Sequence, residues 1–168
     1  MSVLNDLNNP SQINSKLNDM GILVSQLNLH KSITPVEYIN DWIINSTCNY
    51  LDVKGKVALL QEPHLSTKNL QPTGFNKDLK IFVGANTGKI RAVIATDDRI
   101  NAFKLTQFCN QDMVTICISS NNKSFILSSI YMPGDSIDPP PCQLVRDLAT
   151  HCQAKGRKLT IQGVPIKL

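Results

Sequence analysis

Two apolar runs, Ile22–Leu29 and Val57–Gln61, flank a stretch in which Val36, Ile39 and Ile43 recur at helical spacing with Trp42 alongside. Short continuous apolar runs bounded by turn residues suit strands buried on both faces. A helix between two such strands is how a chain returns to lay a second strand parallel to the first. This pattern predicts a strand–helix–strand crossover and so an α/β architecture from the start.

The helix is predicted to open at Thr34-Pro35-Val36-Glu37 and to run to about Cys48. Thr34 suits a cap, Pro35 suits the first turn, and Glu37 completes a capping box. The second strand ends at Pro63, which has no N–H to donate to a ladder. Residues 64–78 read as a loop with turn chemistry at Pro72-Thr73-Gly74.

Short strands are then predicted at Leu79–Val83, Ile90–Ala95, Met113–Ile118 and Phe125–Tyr131, with Asn121-Asn122-Lys123 as a hairpin turn. Beyond Pro139, Pro140 and Pro141 a helix is predicted over Cys142–Ala154, burying Leu144, Val145, Leu148 and Cys152, with Gly156 just past its end. A final strand is predicted over Lys158–Gln162. Residues 1–20 read as a polar lead, and 21–168 as one domain.

The sequence has 168 residues and a formal net charge of +4, a mild basic excess that permits contact with phosphate without requiring it. Its five cysteines include no C-x-x-C pair, and His151 and Cys152 are adjacent on a predicted helix, so zinc is set aside. The thiols read as reduced, which places the chain inside the cell, in cytoplasm or nucleus. No apolar run reaches the roughly 20 residues of a membrane-spanning helix, and no signal peptide is visible. Gly84-Ala85-Asn86-Thr87-Gly88-Lys89-Ile90 superficially resembles a phosphate-binding loop, but its glycines are too close and no Ser or Thr follows Lys89.

Several predicted strand ends carry polar residues in a meaningful order. Leu27-Asn28-Leu29-His30-Lys31-Ser32, Leu59-Leu60-Gln61-Glu62-Pro63 and Gly88-Lys89-Ile90-Arg91-Ala92 come first. Phe108-Cys109-Asn110-Gln111-Asp112-Met113-Val114 and Ser128-Ser129-Ile130-Tyr131-Met132-Pro133 follow. Over about residues 20–163 this series resembles the endonuclease domains of non-LTR retrotransposons. These belong to the endonuclease/exonuclease/phosphatase superfamily, with the apurinic/apyrimidinic endonucleases and DNase-I-like enzymes. The resemblance implies a four-layer α/β sandwich, two sheets face to face with helices outside.

It also implies chemistry. Glu62 matches the carboxylate that holds Mg2+ or Mn2+, hard cations that take oxygen ligands. Asn28 matches the amide that orients that carboxylate and the phosphate, and Tyr131 the phenol that contacts the phosphate. Lys31 and Arg91 are the candidate nucleic-acid contacts, with DNA as the implied partner. Plain structural roles stand beside these: Glu62 as a solvated carboxylate, Asn28 as a turn former, Tyr131 as an amphipathic edge residue, and His30 as an exposed loop residue. Asp112 is assigned a structural hydrogen-bonding role. If Asn28, Glu62 and Tyr131 failed to gather in one cleft, the motifs would be coincidence.

The resemblance departs at the last strand. The family runs there into Gly-Asp-x-Asn, whereas Gly163 is followed by Val164-Pro165-Ile166-Lys167-Leu168. Neither the later Asp nor the terminal Asp-His pair is in the sequence. The expectation is a sandwich incomplete at its C-terminus, with a weak or absent metal site and little or no nuclease turnover. An unpaired sheet edge near residues 158–163 would then favour self-association. A non-catalytic nucleic-acid-binding or protein-interaction module of the same fold is the alternative.

Overall fold

The structure is a computed structural model that describes residues 21–45, 53–120, 123–133 and 137–164. The polar lead at 1–20, Cys48 and the turn residues Asn121 and Asn122 lie outside the described residues. Among the described residues eight strands form two mixed sheets. The first has the order β1 (Ile22–Asn28), β2 (Gly55–Gln61), β4 (Ala92–Asp97), β3 (Leu79–Val83). The second has the order β5 (Ala102–Lys104), β6 (Met113–Ser120), β7 (Lys123–Tyr131), β8 (Lys158–Val164).

Helix α1 (Thr34–Ile44) joins the parallel pair β1 and β2, and helix α2 (Gln143–Ala154) joins the parallel pair β7 and β8. Each sheet thus carries one strand–helix–strand crossover and is otherwise antiparallel. β8 pairs on one side, with β7, and stands at the end of its sheet among the described residues.

Side-chain alternation explains the layers. On β2, Val57 and Leu59 point into the space between the sheets, where they meet Val114, Ile116, Ile118, Phe125 and Leu127 of β6 and β7. Ala58 and Leu60 point the other way, onto Val36, Ile39 and Ile43 of α1. A strand buried on both faces has no place for a polar period, which is why β2 reads as a continuous apolar run. The second sheet repeats the scheme: Val145, Leu148 and Cys152 of α2 cover Cys117, Ile126 and Ile130. The result is four layers, helix–sheet–sheet–helix. Each large side chain fully buried contributes about 1.5–3 kcal/mol through area removed from water.

The first crossover, the hairpin-paired strands and the outer helices follow the sequence reading, whereas the parallel pairing of β7 with β8 was not read from it. Several details differ. Thr34 does not cap α1, and Glu37 closes no capping box. Ile33 takes the cap position with helical dihedrals (φ −79°, ψ −33°), Thr34 is already inside the helix, and no side chain caps it. A side-chain cap needs an extended residue ahead of the helix, and the turn from Leu29 to Ser32 delivers the chain already coiled. The helix closes at Ile44, where the backbone N–H of Asn45 donates to Asp41 O and the Asn45 side chain donates to Asp41 Oδ1 at 2.9 Å.

β4 starts at Ala92 rather than Ile90, because Arg91 gives its backbone groups to Glu62 and Gln111 instead of a ladder. β5 was not anticipated. It is three residues long with Phe103 exposed, too short to show a period. The Gly84–Ile90 segment is the turn region between β3 and β4. A Cβ on Gly84 would run into the backbone oxygens of Asn110 and Met113, so that glycine serves close packing.

Candidate functional site

β1 and β2 run parallel in register, Asn28 opposite Gln61, so both chains leave the sheet at the same end. Asn28 is the last residue of β1 and Glu62 the first after β2. The Asn28 amide donates to Glu62 Oε2 at 3.0 Å. Its other atom, Oδ1, accepts the backbone N–H of His30 at 2.8 Å and shapes the turn that follows. One side chain thus both holds the Glu62 carboxylate and shapes the turn.

Glu62 has φ +48°, in the left-handed region that non-glycine residues enter rarely. His30 (φ +49°) and Lys31 (φ +58°) share that conformation across the cleft rim. What holds them is complete use of the backbone: Glu62 N–H donates to Arg91 O at 2.9 Å, and Glu62 O accepts Lys31 N–H at 2.8 Å. His64 Nδ1 lies 3.0 Å from Lys31 O, tying the two rims again. Strain gathered in this way, and braced on every side, is characteristic of functional clefts.

The Lys31 ammonium stands 3.7 Å from Glu62 Oε1, with the Lys31 side chain 61% exposed and that of Glu62 19% exposed. The carboxylate thus has one oxygen on an amide and the other facing an exposed surface cation. Exposed His30 places no side-chain bond in the site, in keeping with its loop reading.

Tyr131 ends β7 in the opposite sheet. It reaches the Glu62 side through Arg91, whose guanidinium carbon lies 5.1 Å from the phenol ring centroid. Asp112 grips that guanidinium with both oxygens, Arg91 Nη2 to Asp112 Oδ2 at 2.6 Å and Nε to Oδ1. Asp112 also accepts Tyr131 N–H on its backbone oxygen at 2.7 Å. The structure therefore brings Asn28, Glu62, Lys31, Arg91 and Tyr131 to one end of the sandwich, linked by contacts. Asp112 has the structural bonding role that the sequence assigns it. A pocket of about 220 Å3 opens beside Tyr131 and Asp112 toward Pro140 and Leu144.

Three residues were given no role by the sequence reading. Gln61 Nε2 donates to Ser129 Oγ at 3.1 Å, and Ser129 Oγ donates to Leu60 O at 3.0 Å, both buried between the sheets. His64 was read as loop. The signal was present: Gln61 and Ser129 are polar positions inside apolar strand runs, and each lies within two residues of a predicted site residue.

Among the described residues no group of three His, Cys, Asp or Glu side chains gathers as metal ligands, and the site's second carboxylate, Asp112, is taken by Arg91. Glu62 alone suits one oxygen position of a largely hydrated Mg2+, which commonly binds through one or two carboxylates and completes its shell with water and substrate phosphate. Cys109, Cys117, Cys142 and Cys152 are free thiols, and burial pushes Cys109 and Cys152 above the ordinary thiol range. Neither sits in the cleft. Among the described residues no helix is long and apolar enough to cross a membrane.

No family model and no curated protein matches the chain. Among solved structures, the endonuclease domain of TRAS1, a telomere-specific non-LTR retrotransposon, superposes with a TM-score of 0.58 at 19% identity, covering 83% of this chain. The chain spans 57% of the length of that domain. The fold of this chain is accordingly the DNase-I-like α/β sandwich of which that retrotransposon endonuclease domain is an example.

Proposed function

We propose that this is an endonuclease-like domain that engages the phosphodiester backbone of DNA at the Asn28–Glu62 cleft and by itself cleaves it little or not at all. The observation that carries the reading is the hydrogen bond between Asn28 and Glu62, two residues 34 apart in sequence that meet at the open ends of adjacent parallel strands. A carboxylate held by an amide, with an exposed ammonium beside it, suits a phosphate group and its counter-ion.

Each side chain has a distinct part. Lys31 supplies the positive charge that a phosphate backbone meets first, while the charge of Arg91 is taken up by Asp112. Asn28 fixes the carboxylate rotamer without adding charge. Tyr131 donates its phenolic hydrogen to a phosphate oxygen. Glu62 would hold Mg2+ or Mn2+, which when bound supplies Lewis-acid stabilisation of charge on the phosphate and leaving oxygens.

Low turnover follows from ligand chemistry. One carboxylate with an ammonium 3.7 Å away binds a divalent cation weakly. The sequence also reads Gly163-Val164-Pro165-Ile166 where the family has Gly-Asp-x-Asn, so Val164 and Ile166 stand where the side chains that would align the attacking water belong. Groups that act as a unit lose many orders of magnitude in rate when one is removed.

Magnesium-dependent nicking of supercoiled plasmid by the purified chain tests this. The expected result is nicking no faster than in the Glu62→Ala variant; nicking that needs both Mg2+ and Glu62 overturns the inactive reading. The 61% exposure of the Lys31 side chain supports the DNA-binding part of this reading. Affinity that falls steeply with salt, and less steeply in Lys31→Ala, supports it. Self-association through the edge of β8 belongs to the same proposal, and a monomeric sedimentation coefficient at all concentrations would end it.

A further inference from the structure

Arg91 and Asp112 lie in loops directly ahead of β4 and β6, one in each sheet. Their side chains are 30% and 27% exposed, so the pair is half withdrawn from water and its bidentate geometry is worth more than a surface ion pair. The backbone contacts of these two residues run in opposite directions. Arg91 O accepts the N–H of strained Glu62 at 2.9 Å, and Asp112 O accepts the N–H of Tyr131 at 2.7 Å. Asp112 is itself anchored, its N–H donating to Asn110 Oδ1 at 2.8 Å, and Arg91 N–H donates to Gln111 O at 2.8 Å. The guanidinium then lies over the Tyr131 ring.

We infer that Arg91 and Asp112 form a positioning clamp, a pair that acts through its neighbours by fixing the Tyr131 phenol in sheet two relative to the Glu62 carboxylate in sheet one. This deepens the reading of Tyr131 as a phosphate contact and rests on it. Asp112 orients the planar Arg91 fork, the fork fixes the ring by cation–π contact, and the two backbone oxygens hold the residues that carry phenol and carboxylate. Lysine cannot replace Arg91, because an ammonium has the charge without the two-pronged fork.

The sign of one substitution separates this role from bulk charge. Asp112→Asn makes the chain more positive, so electrostatics alone predicts tighter binding of DNA. A clamp predicts weaker binding, because the ring is no longer held.

The test uses the full chain with isotope-labelled tyrosine rings, together with fluorescence anisotropy on a short duplex DNA at low salt in EDTA. Arg91→Lys and Asp112→Asn are both expected to move the Tyr131 ring signals, assigned by their loss in Tyr131→Phe, while leaving those of Tyr38 in place. Each is expected to weaken DNA binding about threefold to tenfold, the range of one cation–π contact. The double variant Asp112→Asn/Tyr131→Phe should bind no worse than the weaker single, since both act through one phenol. Unmoved Tyr131 signals in both variants, tighter binding by Asp112→Asn, or losses that multiply in the double variant overturn the clamp. Should the wild type fail to bind DNA, or Tyr131→Phe bind equally well, the phosphate-contact reading fails, and the ring signals alone decide the clamp. If Asp112→Asn does not fold, Arg91→Lys carries the ring measurement.

Discussion

Replacing Glu62 by alanine and by glycine separates what the side chain does from what the backbone costs. Both variants remove the carboxylate, so both lose the 3.0 Å bond from Asn28 and the nearby Lys31 charge, and that loss cancels in their comparison. What differs is the left-handed backbone at φ +48°. An L-residue pays about 1–2 kcal/mol there, while glycine pays nothing. Glycine is in turn disfavoured by about 0.4–1 kcal/mol through the greater freedom of its unfolded chain. Glu62→Gly should therefore be more stable than Glu62→Ala by about 1 kcal/mol. For a chain of this size that is about 2–4 °C in Tm. Urea unfolding followed by tryptophan fluorescence, with equal slopes for the two variants, measures it. Equal stabilities, or alanine the more stable, would show that position 62 is unstrained and would remove the argument that the cleft stores strain for function.

Gly84→Ala should destabilise by at least 2 kcal/mol in the same assay, because the new methyl meets backbone oxygens of Asn110 and Met113 that cannot rotate away. Thr96 is fully buried and its hydroxyl has no hydrogen-bond partner, so Thr96→Val should raise stability by about 1 kcal/mol, read as a higher urea midpoint. Arg99, chiefly by its side-chain hydrogen bond, holds the Asp97 carboxyl below the ordinary carboxylate range. A pKa depressed in the folded state adds stability above the unfolded value of about 3.9 and loses it as pH falls through the folded value. Asp97→Asn should therefore cost about 1 kcal/mol at pH 7, discounted from a buried pair because Arg99 is exposed, and the gap from wild type should close below about pH 4 in thermal melts run across pH.

The layers were legible because burial leaves a period. β2 lies against a sheet on one face and a helix on the other, so every residue from Val57 to Leu60 had to be apolar. α2 kept Val145, Leu148 and Cys152 on one face for the same reason. Asn28, Glu62 and Tyr131 were legible as polar residues where apolar runs end. The entry to α1 was not, because Thr34-Pro35-Val36-Glu37 fits a cap equally well one residue out of register, and only the preceding turn decides. β5 was invisible because three half-exposed residues carry no pattern. The pairing of Arg91 with Asp112 was beyond reach for another reason. It depends on two loops 21 residues apart folding toward each other, and local sequence does not encode that meeting.

The bonds from Gln61 to Ser129 and from Ser129 to the Leu60 carbonyl are polar contacts across a mostly oily seam. Two greasy surfaces resist separation but slide over each other cheaply, since a Leu forgives a neighbour displaced by an ångström and a hydrogen bond does not. Because Gln61 directly precedes Glu62 and Ser129 lies two residues before Tyr131, these bonds act as a dowel between plates, setting the lateral alignment of the two halves of the mouth from deep inside.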